Sequence, residues 1–97
     1  MNGPLPEIPV PRTALQRRLV HLASRRSMAE MERILHRFLV NELTILDEVQ
    51  CQVWIGLLDH ADADLLDWMA GIKPLPDGVD PTILSQLSVH ARESTGV

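Results

Sequence analysis

Tyrosine is missing from this 97-residue chain, and only Phe38, Trp54 and Trp68 are aromatic. Runs of β-branched residues and hairpin-type turn dipeptides are scarce, which argues against a sheet. Sparse aromatics, with no glycine-rich phosphate loop, also leave little to stack on bases or cradle a nucleotide. No stretch reaches the roughly 18 to 20 apolar residues that cross a bilayer, and no basic end followed by an apolar run opens the chain. An unexported, cytoplasmic protein is the expectation. The single cysteine, Cys51, has no partner for an internal disulfide, which fits a reducing compartment. Arginines at 12, 17, 18, 25 and 26 imitate a mitochondrial leader, but Glu7 and the prolines at 4, 6, 9 and 11 oppose that reading.

What is present describes one globular domain. Apolar residues make up 45% and charged residues 23% of the chain, a balance that supports a core rather than disorder. A fold of this size hides roughly 60 to 65% of the surface of its unfolded chain, so stability is modest. The net charge of -4 conceals a polarity. Residues 1–40 hold seven arginines against three glutamates, whereas residues 41–97 hold one lysine and one arginine against ten acids. The acidic half repels phosphate, so an acidic patch on a partner protein suits the basic half better than nucleic acid does.

Periodicity predicts an all-α fold, a single small five-helix bundle over residues 12–92, with a flexible proline-rich tail at 1–11 and a short tail at 93–97. The first helix, Thr13 to Arg25, carries Leu15, Leu19 and Leu22 on one face. The second, Met28 to Leu43, has the clearest stripe, Met31, Ile34, Leu35, Phe38 and Leu39. The third, Glu48 to Leu58, opens with Asp47 and Gln50 as a capping box and presents Val49, Val53, Trp54, Leu57 and Leu58. The fourth, Ala63 to Ala70, is capped by Asp62 and stopped by Gly71. The fifth starts with Asp80 as cap and Pro81 in first place, and carries Ile83, Leu84, Leu87 and Val89.

No nucleophile with an adjacent base, paired catalytic acids or cofactor loop can be assembled, which points to a non-enzymatic partner protein. His21, His36, His60 and His90 show no ligand spacing, and Asp59, Asp62 and Asp64 lack the glycine and glutamate of a calcium loop. Cys51 has no basic neighbour in sequence to activate it.

The stretch Arg25-Arg26-Ser27-Met28-Ala29-Glu30 places two guanidiniums and a carboxylate where two helices meet. Followed by Met31-Glu32, Leu35, Phe38, Leu57-Leu58, Asp62-Ala63-Asp64-Leu65-Leu66-Asp67-Trp68 and Gly71, it resembles the R-G-x-x-E series of the SdhE family. The likeness runs over about residues 12–90. Members of that family are small bacterial factors that assist covalent attachment of FAD to a histidine of the flavoprotein subunit of succinate dehydrogenase or fumarate reductase, and they fold as five-helix bundles. The resemblance implies that the flavoprotein subunit is the partner, that FAD is not held tightly by this chain, and that the contact surface includes Arg25, Arg26, Ser27, Met28 and Glu30. Asp64 and Trp68 form a second contact region on this view, with a helix-start acid and a core indole as the alternative.

Ser27 stands where the family has glycine, and Met31-Glu32 stand where it has leucine and aspartate. If the glycine allows close approach of a partner, the extra hydroxymethyl group weakens docking; if it serves a positive φ, serine is strained there. Ser27-Met28-Ala29-Glu30 also reads as a local capping box with no partner role. A helical adaptor with an unrelated acidic partner and a small nucleic-acid-associated regulator are the competing functions.

Overall fold

The computed structural model describes residues 6–95, and among these residues the chain is five α-helices with no strand. They are α1 (Ala14–Ser24), α2 (Ala29–Glu42), α3 (Glu48–Leu57), α4 (Asp62–Met69) and α5 (Pro81–Thr95), with a 3-10 turn at Leu43–Ile45. The all-α expectation holds, and the helix limits fall within a few residues of those read from the pattern. Residues 93–95 continue α5 instead of forming a tail; 1–5 and 96–97 lie outside the described residues. The segment 6–12 is extended but held: Ile8 packs on the core, and the Pro6 carbonyl lies 2.7 Å from His36 Nε2.

The middle of the molecule is α2, which packs against both α1 and α5. Its expected stripe of Met31, Ile34, Leu35, Phe38 and Leu39 is fully buried. Phe38 is the hub, with its ring 4.0 Å from that of Trp54 and edge-on to His90 at 5.9 Å. Such aromatic contacts add about 0.5 to 1.5 kcal/mol to plain area burial. His90 is buried in the place where Val89 was expected; its Nε2 meets the Glu42 carboxylate and its Nδ1 has no hydrogen-bond partner.

Two helix faces differ from the sequence pattern. On α3 the buried residues are Cys51, Trp54 and Leu57, continued by Leu58, while Val49 and Val53 are 67% and 47% exposed. Seven of the eleven residues 48–58 are apolar, so apolarity alone selects no face. On α1 the inward residues are Gln16, Leu19 and Ala23, with Leu15 and Leu22 only partly covered. The Gln16 side chain donates to the carbonyls of Leu43 and Leu46, both at 3.2 Å, and accepts from the Arg12 amide at 2.7 Å. It ties α1 to the 3-10 turn, giving the Leu43 carbonyl a donor besides the Leu46 amide and supplying one to the Leu46 carbonyl.

Local end signals act as read at two helices. Asp47 and Gln50 form the capping box of α3, and Asp80 accepts from the Thr82 amide at the start of α5. After α4, Gly71 at φ 75 lets its own amide reach the Trp68 carbonyl and the Ile72 amide reach that of Asp67, a Schellman closure that only glycine enters without strain.

Candidate functional site

The links α1–α2 (residues 25–28) and α3–α4 (residues 58–61) meet at one end of the bundle. Arg26 joins them. Its Nε donates to Asp62 Oδ1 at 2.7 Å, one Nη donates to the Leu58 carbonyl at 2.8 Å and to that of Leu22 at 3.4 Å, and the other donates to the His60 carbonyl at 2.9 Å. The two side chains of the ion pair are only 8% and 1% exposed. A planar guanidinium with fixed donors suits this cluster of carbonyls and carboxylate in a way that a lysine ammonium does not.

The second oxygen of Asp62 faces the start of α2. It accepts from the Met28 amide at 3.0 Å and from the Ser27 hydroxyl at 3.2 Å. Burial by itself pushes the Asp62 carboxyl up, but the hydrogen bonds from Arg26, Met28 and Ser27 and the Arg26 charge together hold it below the usual carboxylate range.

This geometry corrects two expectations and adds to a third. Arg26, expected at a partner contact, makes four hydrogen bonds within the fold. Asp62 is the first residue of α4, not its cap; the cap position belongs to Ala61, which makes no side-chain bond. Ser27 and Glu30 do not form a capping box: Met28 is the N-cap of α2 and no side chain of the link bonds back to the helix. The Ser27 hydroxyl donates instead to the Asp62 carboxylate, an ionised acceptor arriving from another helix. Nor is Ser27 strained, since no residue other than glycine has positive φ among the described residues.

Around this interior joint the remaining site residues face outward. Arg25, Ser27 and Glu30 are exposed, and the Met28 side chain, 37% exposed, lies between them. Arg25 and Glu30 enter no salt bridge among the described residues. Beside Glu30 a shallow groove of about 280 Å³ is floored by Ile34, Leu66, Met69 and Ala70. The edge therefore combines a cation, a carboxylate and an apolar thioether within one link and the turn after it.

Asp64 and Trp68 are placed differently. Asp64 pairs with Lys73 at 3.1 Å, as does Asp67 at 3.3 Å, and these hydrogen bonds raise the Lys73 pKa. Trp68 is half-buried, packed on the core with its ring edge-on to His60 at 5.0 Å. It touches the joint indirectly, since the backbone of His60 is one of the Arg26 acceptors. Among the described residues no group of three His, Cys, Asp or Glu side chains is arranged to hold a metal ion. No helix among them is long and apolar enough to cross a membrane.

Asp62 and Gln16 are the residues that pattern reading missed in these roles. Asp62 had a sequence signal in the D-x-D-L series, but its spacing from Arg26 carries no periodic signature. Gln16 had none, because a polar residue on a helix normally reads as solvent-facing.

A sequence model of the family described as flavinator of succinate dehydrogenase matches residues 17–91. The chain is 28% identical over 100 residues to succinate dehydrogenase assembly factor 2, mitochondrial, of Drosophila grimshawi, covering 97% of this chain and 68% of that one. It is 29% identical over 79 residues to the protein of the same name in Culex quinquefasciatus, covering 79% and 50%. With FAD assembly factor SdhE of Legionella pneumophila it shares 38% over 47 residues, covering 48% and 60%. The chain thus spans between half and about two thirds of the length of these relatives. No solved structure matches it significantly.

Proposed function

The chain belongs to the succinate dehydrogenase flavinator family, and on that footing we propose that it is a non-enzymatic assembly factor that binds the flavoprotein subunit of succinate dehydrogenase, or of fumarate reductase, and promotes covalent attachment of FAD to a histidine there. The family match over residues 17–91 carries this reading. FAD bound in the target would supply the chemistry of its own attachment to the target histidine; the assembly factor contributes position and electrostatics.

The exposed edge of Arg25, Ser27, Met28 and Glu30 is the proposed docking surface. Arg25 offers a bidentate guanidinium to a target carboxylate, Glu30 accepts from a target donor, and Met28 supplies an adaptable apolar contact. Docking favours the target conformer in which histidine and flavin are aligned, which is a population shift by differential binding and needs no FAD affinity in this chain alone. Asp64 and Trp68 extend the surface at its margin. The cytoplasm is the proposed location, in keeping with an unpaired, buried Cys51.

The test is expression of a succinate dehydrogenase flavoprotein subunit with and without this chain, followed by in-gel flavin fluorescence after denaturation. Covalent flavin rises with the chain present and falls with Glu30→Ala. Equal fluorescence in both lanes rejects the function.

A further inference from the structure

We propose that Asp62, which lies outside the exposed edge, is its positioning residue, and that Ser27 is one of the donors that Asp62 uses to hold the edge in place. The consequence for docking rests on the function proposed above; the geometry does not.

Only one side chain of the link 25–28 points inward. Arg25, Ser27 and Met28 are exposed, so no apolar anchor fixes the path of the chain between α1 and α2. That path is set by polar contacts: Arg26 reaches the Leu22, Leu58 and His60 carbonyls, and three further bonds converge on one carboxylate. Asp62 Oδ1 holds Arg26, and Oδ2 holds the Met28 amide and the Ser27 hydroxyl. Three consecutive residues of the link are therefore bound to a side chain 34 to 36 positions away in sequence.

The helix ends favour the same arrangement. Arg26 sits at carbonyls from the end of α1 (Leu22) and from the end of α3 and just beyond it (Leu58, His60), where helix dipoles are negative. The Asp62 carboxylate sits in the first turn of α4 and at the first residues of α2, where they are positive. The ion pair thus joins two helix ends to two helix starts. Rotating the link away requires separating a buried pair from four helix termini at once.

Ser27 acquires a meaning here that the loss of glycine does not suggest. Its hydroxyl is turned toward Asp62 and supplies a bond that glycine has no side chain to make. The added hydroxyl tightens the link while the residue stays exposed at the edge.

Asp62→Asn keeps the shape and removes the charge, and two measurements on the full chain test the idea. The first is amide hydrogen exchange. Asp62→Asn should raise exchange of the Met28 amide and the first turn of α2 at least tenfold, whereas Leu35 to Leu39, which open only with the whole fold, should change by no more than the loss of overall stability read from urea unfolding; Ser27→Ala, which keeps the Arg26 pair, should raise exchange at Met28 about threefold. The second is affinity for the flavoprotein subunit well below the unfolding temperature. Asp62→Asn should weaken binding at least tenfold, and Glu30→Ala should cost much less when added to Asp62→Asn than alone. Leu46→Val, a change just after the 3-10 turn that follows the far end of α2, should leave the ratio of exchange at Met28 to that at Leu35 to Leu39, and the affinity, unchanged.

Unaltered exchange at Met28 in both variants overturns the proposal. So does wild-type affinity in a chain with a loosened link, or additive losses from the two substitutions. If the wild-type chain fails to bind the flavoprotein while Asp62→Asn still loosens the link, the docking function falls and the positioning of the edge stands.

Discussion

Replacing Arg26 by alanine separates an interior joint from an exposed contact more sharply than any other single change. An exposed arginine in a salt bridge contributes about 0 to 1 kcal/mol, whereas removing one partner of a buried pair costs roughly 3 to 5 kcal/mol, because the other charge stays buried. Arg26 is only 8% exposed and Asp62 only 1%, which places the pair in the second class. One feature pulls the cost toward the lower limit: the Asp62 carboxylate retains the Met28 amide and the Ser27 hydroxyl. A loss of about 3 kcal/mol follows.

For a chain of this size, with total stability of roughly 5 to 10 kcal/mol, that is a large fraction, and the melting temperature should fall by about 12 to 24 °C. Urea unfolding followed by tryptophan fluorescence is the assay, since Trp54 is buried and reports loss of the core. The double variant Arg26→Ala with Asp62→Ala should lose less than the two single losses combined, because no charge is then left buried alone. A single-variant loss below about 1 kcal/mol, with additive behaviour in the double variant, would show that the guanidinium is effectively solvated and refute the interior-joint account.

Acid should act on the same pair. The folded pKa of Asp62 is lowered relative to the unfolded chain, so its stabilisation is complete above the ordinary carboxylate value near about 4 and is lost as pH falls through the lower folded value. The stability gap between the wild-type chain and Asp62→Asn should therefore be constant from about pH 8 to 5 and close below about 4, as followed by urea unfolding across pH. Gln16→Leu removes the side-chain donor to the Leu43 and Leu46 carbonyls and the acceptor of the Arg12 amide, and should cost roughly 1 to 3 kcal/mol in the same assay; a neutral result would mean that water replaces the amide. Gly71→Ala forces a side chain into positive φ and should cost about 1 to 2 kcal/mol, while Gly56→Ala, inside α3 with open space at its Cβ, should be neutral or slightly stabilising.

The contrast between Ser27-Met28-Ala29-Glu30 and Asp47-Glu48-Val49-Gln50 shows what a sequence pattern carries and where it stops. Both have the residue types and spacing of a capping box, and only the second forms one. Nothing within the first four residues explains the difference. What the first has instead is a partner 35 positions on: the ionised oxygen of Asp62 accepts from both the Ser27 hydroxyl and the Met28 amide, and Met28 is the N-cap. The stripe on α2 was legible because Met31, Ile34, Leu35, Phe38 and Leu39 contrast with charged neighbours. The face of α3 was not, because apolar residues surround most of it. For the Arg25-Arg26 pair, composition places both outside, and only the third dimension turns one of them inward. The inner arginine then determines where the outer residues stand, so a sequence motif that reads as a list of contacts is in part a joint and in part the surface that the joint presents. Substitutions across the hexapeptide should accordingly fall into two groups: Arg26 changes lose stability first and binding with it, whereas Arg25 and Glu30 changes lose binding at unchanged stability. A hexapeptide in which every residue lowered both together would have to be a single structural unit, and the division between joint and surface would fail.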